Sequence, residues 1–394
     1  MFKFWLVLAL LSFNLTAVEI APLFKAKMLG LSSSEFEEKH FAGFKWSDEN
    51  RTTARSRSQT FEGQKLVETL AKFQNHKLVS LTAYLWTRGD SKGSLSEKEF
   101  KSRFKSYYFL VKKSCGGKAG ELKRRQGLSG NKAYSWKLAS HTVQLIASSV
   151  KKPFKAEYFA LQMSSVSKKN RKDRKSLKTG LVKKRNGDVY VNGIPMIDQG
   201  SKGYCVCATT ARVLNYYGRS ATMHEIAKMA GGDPDSGTSI EDMVKSIKKI
   251  KTKLRIKLDH IKVKNMMPKI YNKYYKTKYP LDIYRFYHEY EYHDDILDIL
   301  PDKTSSLRYF MRDVKRSIDK GIPIAWTMLV GIHAEKGVLA GSKVGGHMRL
   351  IIGYNEKTKE ILYSDSWGPG HEVKRWPLKA AYSVTTNLIQ IIPR

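Results

Sequence analysis

The chain has 394 residues, with 71 Lys and Arg against 36 Asp and Glu, a net charge of +35 and 41% hydrophobic residues. A chain of this length buries ample core, and its three cysteines, Cys115, Cys205 and Cys207, are too few for a disulfide framework. Both facts exclude a small disulfide-stapled domain, and the basic excess makes anionic polymers a candidate partner.

Met1-Phe2-Lys3-Phe4 opens an apolar run that continues through Leu15, and Leu15-Thr16-Ala17 offers a small-residue cleavage site. One Lys followed by roughly ten apolar residues is too short to span a bilayer and fits a secretory signal peptide over residues 1–17. No later stretch approaches the run of about 18 apolar residues that a membrane helix needs. The expectation is an exported, bacterial protein, secreted or periplasmic at the cell envelope, with no transmembrane helix after signal cleavage.

Residues 18–165 read as a smaller α+β domain. Leu66–Phe73 and Leu78–Trp86 are strand-like runs joined by Gln74-Asn75-His76-Lys77, a hairpin signal. Ser96 with Glu99 forms a capping box for a helix whose face is Phe100, Phe104, Tyr107 and Val111 and which stops at Gly116. Tyr134–Leu138, Thr142–Ala147 and Glu157–Met163 supply further strands. Arg88-Gly89-Asp90 follows a strand and reads as a turn. No catalytic constellation stands out here. Residues 166–188 follow as a basic linker, densest at Lys168-Lys169-Asn170-Arg171-Lys172-Asp173-Arg174-Lys175, a solvated spacer or the junction of a propeptide.

The chemistry lies in residues 189–394. Asp198-Gln199-Gly200-Ser201-Lys202-Gly203-Tyr204-Cys205 is a glycine-containing loop that delivers a cysteine to the start of a helix. Val206, Thr210, Val213, Leu214 and Tyr217 then recur at helical spacing, and Gly218 ends the helix. A thiol at a helix N-terminus meets unpaired N–H groups and the positive end of the helix dipole, which favour the nucleophilic thiolate. Gln199, six residues upstream, can aim an amide N–H at the same point and form an oxyanion hole with the Cys205 N–H. A lone cysteine is more often a small buried hydrophobe, and Cys207, inside the first helical turn, reads as that.

Thr238 and Glu241 read as the capping box of a second helix with core positions Ile240, Met243, Val244, Ile247 and Ile250. Residues 251–303 form an insertion in which Lys alternates with tyrosines from Tyr271 to Tyr292. Such interleaving suits nucleic acid, but an exported chain points to a packed subdomain or a substrate-facing surface, so no nucleic acid is expected. His288 and His293 are five apart, where a zincin helix needs four, so no metal and no cofactor are assigned. Leu307, Phe310, Met311, Val314 and Ile318 mark a third helix, and Ile322–Leu329 a strand. Gly345-Gly346-His347 then leads into the apolar strand Met348–Tyr354, and Glu360–Ser364 returns to Asp365-Ser366-Trp367-Gly368. In that hairpin the start of one strand lies beside the end of the next, so His347 and Asp365 meet. A carboxylate would then orient an imidazole that activates a thiol. His333 and His371, the other candidate bases, precede no strand paired with an acid-bearing one.

Gln199-x5-Cys205-x-x-Ala208, Tyr216-Tyr217-Gly218, a Gly-preceded His347 and Asp365-Ser366-Trp367-Gly368 together resemble the papain-like cysteine peptidases. The order is most similar to the bacteriocin-processing branch, cysteine peptidase family 39-like, and the resemblance spans about Val189 to Arg394. It implies a helical lobe plus an antiparallel β lobe. It also implies a peptidase acting on a protein or peptide substrate, with Cys205 as nucleophile, His347 as base, Asp365 as its orienting partner and Gln199 as oxyanion donor. Papain has Asn where this chain has Asp365, and the transporter domains that usually accompany processing peptidases have no counterpart in these residues. Two other classes fit the same residues: another acyl-transfer enzyme or amidase on this scaffold, and a non-catalytic binder of wall or polyanion.

Overall fold

The computed structural model describes residues 17–116, 120–121, 127–164, 176–289, 297–302, 304–335 and 344–394. The apolar run up to residue 16, the basic run 168–175 and His293 lie outside the described residues. The chain is mixed α+β, built on two large sheets.

In the N-terminal half, Glu68–Gln74 and Lys77–Thr87 pair antiparallel about a two-residue turn, Asn75 and His76, both with positive φ. That turn conformation matches the twist of the strands it joins. The sheet runs Lys45–Trp46, Thr53–Ser56, Glu68–Gln74, Lys77–Thr87, Lys155–Ser164, Thr142–Val150, Lys132–Lys137 and Gly120–Glu121. Side chains alternate between its faces. Leu81, Ala83, Leu85, Phe159 and Leu161 enter one core, against which the capped helix Glu97–Cys115 lays Phe100, 4.4 Å from the Phe159 ring. Tyr84, Tyr158 and Ala160 occupy the other face and turn toward the C-terminal half, where His224 lies 4.9 Å from Tyr84.

The C-terminal sheet runs Leu181–Lys183, Asp188–Val191, Gly345–Asn355, Ile324–Val330, Thr385–Pro393 and Ile256–Ile261. Glu360–Ser364 and Lys374–Pro377 extend it from the far edge of Gly345–Asn355. The helix Cys205–Tyr216 packs against Gly345–Asn355, and the Thr209 hydroxyl donates to the Met348 carbonyl at 3.2 Å. Ser305–Ile318 covers the sheet with Leu307, Phe310, Val314 and Ile318.

Two local expectations change. The second helix is Ile240–Leu254, capped by Ser239, whose hydroxyl accepts from the Asp242 N–H, and not by the Thr238–Glu241 pair. Thr238 instead sets its hydroxyl 3.1 Å from the Cys207 sulfur, so the helix starts one residue later. In the insertion the tyrosines divide. Tyr271 and Tyr287 are buried around Phe286, while Tyr274 and Tyr284 are exposed.

Candidate active site

Cys205 is the first residue of its helix, and Tyr204 before it makes no side-chain cap. Gly218 follows the helix with a φ of 70°, a left-handed position that suits a residue without Cβ. Burial pushes the Cys205 thiol up. The hydrogen bond and charge of His347, with backbone N–H groups of Met348 and Val206, outweigh burial and leave its pKa below the ordinary thiol value. Cys207, two residues on, is fully buried, and burial pushes its thiol up to about 12. All three cysteines are free thiols.

The strand register delivers the partners. Leu350 faces Ser364 across the antiparallel pair, so Asp365 comes beside Arg349, and His347 lies two residues along on the same face. His347 Nε2 is 2.7 Å from Asp365 Oδ1, which leaves Nδ1 for the thiol. Burial disfavours the imidazolium, yet the charge and hydrogen bond of Asp365, then those of Cys205, carry the His347 pKa up to about 9. Burial also works against the Asp365 carboxylate, but His347, Arg349 and the Ser366 N–H hold its pKa well below the usual carboxylate range. Trp367 stacks on the His347 ring at 4.9 Å and 27°.

Gln199 is buried and tied at both ends of its amide. Nε2 donates to the Lys202 carbonyl at 2.9 Å, and Oε1 accepts from the Ser366 hydroxyl at 2.6 Å. The Lys202 carbonyl, which can only accept, thus fixes which end of the amide is the donor, and Nε2 retains a second N–H. His333 sits elsewhere, 2.7 Å from the Ser383 hydroxyl, with burial taking its pKa down to about 4. His371 borders the site through the edge of Trp367, and its backbone carbonyl accepts from the Asp365 N–H and the Ser364 hydroxyl.

A thiol, an imidazole and a carboxylate in one hydrogen-bonded chain beside a helix N-terminus is the arrangement of a thiol acyl-transfer site. The model of the Peptidase_C39 like family matches residues 191–387, half of the chain. The chain belongs to this family. It is a papain-like cysteine peptidase, a hydrolase of proteins or peptides. No curated protein matches it. Among solved structures it is similar to xylellain, a cysteine protease from Xylella fastidiosa, at 13% identity and a TM-score of 0.31, over 58% of this chain and 94% of that one.

This peptidase carries a buried charge network that the sequence reading missed. Arg349 Nε donates to Asp365 Oδ2 at 2.7 Å and Nη2 to Glu335 Oε1 at 2.6 Å. Glu335 in turn accepts from the Tyr363 hydroxyl at 2.7 Å and from Lys374 at 3.2 Å. The Arg349 guanidinium also lies over the rings of Tyr363 and Trp367, at 4.9 and 5.1 Å. The signal was present: an arginine two residues from His347 on an otherwise apolar strand must bury its charge, and a buried charge needs a carboxylate. Arg212, buried on the cysteine helix, donates from Nη1 to the Asp365 carbonyl at 2.7 Å and from Nε to the Pro195 carbonyl at 3.0 Å. The helix of the thiol and the strand end of the acid are thereby joined directly.

Proposed function

We propose that Cys205, His347, Asp365 and Gln199 perform peptide hydrolysis in an exported enzyme. The observation that carries this reading is the Cys205–His347–Asp365 chain, with the thiol pKa lowered and the imidazole pKa raised at the same place. His347 takes the thiol proton, and the thiolate attacks the scissile carbonyl carbon. The negative oxygen that forms is held by the Cys205 N–H and by Gln199 Nε2. His347 then gives its proton to the leaving amine as the C–N bond breaks, leaving a thioester that water hydrolyses. Asp365 holds the imidazole through Nε2 throughout. Export rests on the apolar segment over residues 1–17, and the charge of +35 supports association with anionic envelope polymers.

The test is labelling with E-64 or iodoacetamide at pH 6, followed by peptide mapping, beside hydrolysis of a fluorogenic peptide library. Label on Cys205, absent from Cys205→Ala together with all turnover, is expected. Label on Cys207 instead would overturn the assignment. Incorporation of an added amine in place of hydrolysis would make the chain a transferase.

A further inference from the structure

The loop Asp198–Gly203 carries Gln199, and the residues that bracket Gln199 are held from the other half of the molecule. Asp198 pairs with Arg55 of the strand Thr53–Ser56. Arg55 is itself fixed by Glu68, at 2.7 Å from Nε and 2.6 Å from Nη2. At the far end of the loop, Lys202 has a side chain only 1% exposed, and its ammonium pairs with Asp90. The Lys202 carbonyl is the acceptor that ties down Gln199 Nε2. Asp198 Oδ1 also accepts from the Gly200 N–H at 2.7 Å and sets the turn that follows Gln199.

A third contact backs the loop from behind. Arg88 Nη1 reaches Asp233 Oδ2 at 3.4 Å, Nη2 reaches the Gly232 carbonyl, and the adjoining Pro234 carbonyl accepts from the Gly203 N–H. Gly89 between Arg88 and Asp90 leaves room for this docking, since a Cβ there would lie 2.6 Å from Pro234 Cβ and 2.8 Å from Lys202 Cδ. The tripeptide that reads in sequence as a plain turn is therefore a clasp on the catalytic half.

An apolar side chain would fill the Lys202 position at no electrostatic cost, whereas a buried ammonium is stable only where its partner stands. The pair therefore fixes where the loop lies as well as closing a gap. On the functional reading given above, on which this inference rests, we propose that the N-terminal half is a standing part of the active site. Arg55 and Asp90 are positioning residues that hold the Asp198–Gly203 loop and thereby aim Gln199 at the oxyanion. This role is incompatible with a propeptide discarded on activation.

The full-length chain tests this with two probes of different demand. Alkylation of Cys205 by iodoacetamide forms no oxyanion, whereas amide hydrolysis and capture of the peptide aldehyde leupeptin do. Arg55→Gln with Asp90→Asn should lower kcat on the best library peptide by about 10- to 100-fold and weaken leupeptin by a similar factor. The Cys205 alkylation rate should stay within about twofold, because Cys205 and His347 are not displaced. Gln199→Ala sets the largest loss that the loop can cause. The conservative Arg55→Lys and Asp90→Glu, which keep both charge pairs, should recover most of kcat. Unchanged kcat and leupeptin affinity in the double variant would overturn the proposal. So would equal losses in hydrolysis, leupeptin affinity and alkylation together with a lowered Tm, which would mark Arg55 and Asp90 as structural only. A wild-type chain that neither hydrolyses peptides nor alkylates at Cys205 would instead overturn the functional reading, and this inference with it.

Discussion

The N-terminal sheet buries both of its faces, with Leu81, Phe159 and Leu161 on one side and Tyr84 and Tyr158 on the other. The C-terminal sheet, also large and antiparallel, gathers His347, Arg349, Asp365 and Glu335 into a buried polar cluster at one end of its strands. The first sheet fills its helix-covered face with packing and carries buried ion pairs, such as Arg55 with Glu68, where it meets the catalytic half, whereas the second gives up part of its own interior to charges that must all be paired. Replacing an apolar contact in the helix-covered core of the first should change stability and leave the chemistry alone. Changing one partner in the second should change the chemistry through charges left unmatched.

The comparison breaks most sharply at Cys205 and Phe159. Cys205→Ala should cost on the order of 10⁶ in kcat, as loss of a nucleophile does, with little change in Tm. Phe159→Ala, in the fully buried core, should cost about 3–5 kcal/mol of stability and leave the pH profile of the remaining folded enzyme unchanged. Peptide hydrolysis and urea unfolding on both variants read the two effects. A Phe159→Ala enzyme of normal stability but altered pH profile would erase the distinction between the sheets.

Asp365 sharpens it. Papain itself has an amide at this place, so Asp365→Asn looks conservative. Here three donors converge on the carboxylate: His347 Nε2, the Ser366 N–H and Arg349 Nε. An Asn offers one oxygen, and when that oxygen serves His347 and Ser366 its NH₂ group faces the Arg349 N–H. Asp365→Asn should therefore lose about 10²–10⁴ in kcat, approaching the order of 10⁴ seen when a triad acid is amidated. Asp365→Asn with Arg349→Gln should recover at least about tenfold of that loss, since it removes the opposed donor. Steady-state kinetics decide, and a double variant slower than Asp365→Asn would show that Arg349 does more than face the acid.

A third effect lies in pH. On the proposed mechanism the thiolate–imidazolium pair holds above the lowered pKa of Cys205 and below the His347 value of about 9. kcat/KM should be level near neutrality, with its alkaline limb near 9 and its acid limb below the ordinary thiol range. For stability the signs differ by group. The raised His347 pKa contributes fully below its unfolded value and is lost as pH rises through about 9. The lowered Asp365 pKa contributes above its unfolded value and is lost as pH falls. In Asp365→Ala the alkaline limb should move to lower pH. An unmoved limb would remove Asp365 as the source of the raised imidazole pKa.

The smallest effect concerns the surface. The charge of +35 should retain the protein on heparin or an anionic wall polymer, with retention falling as salt rises, because exposed charges act over about 8 Å at physiological ionic strength. Neutralising Lys168, Lys169, Arg171, Lys172, Arg174 and Lys175 should lower the salt needed for elution. If it does not, that segment is a spacer, and the basic charge acts elsewhere.

Much of this molecule is legible from local pattern. The period of Val206, Thr210, Val213 and Tyr217, the stop at Gly218, the Ser96–Glu99 cap and the alternating strands around Asn75-His76 concern residues within a turn or a hairpin of one another. Their backbone preferences and nearest contacts are set before any distant segment arrives, so sequence alone determined those elements, and the His347 and Asp365 strands follow from the same hairpin logic. The cap at Ser239 was misread because Thr238 is drawn to Cys207, 31 residues away, a contact that no helix signal encodes.

Beyond the His347–Asp365 pair, the partners of the buried charges Arg55, Lys202 and Arg349 were decided only in the folded chain. Arg55 meets Asp198 across 143 residues, Lys202 meets Asp90 across 112, and Arg349 stands between Asp365 and Glu335. A charged residue in a sequence is ordinarily solvated, and even where an apolar strand marks one for burial, as at Arg349, nothing local names its partner. Desolvation makes an ion pair obligatory, and desolvation exists only once the two sheets and the cysteine helix have closed around the site. The same holds for the two thiols at the head of one helix. Sequence places Cys205 and Cys207 two residues apart, and tertiary contact with His347 and the Met348 N–H on one side, against enclosure beside Thr238 on the other, moves their pKa values in opposite directions.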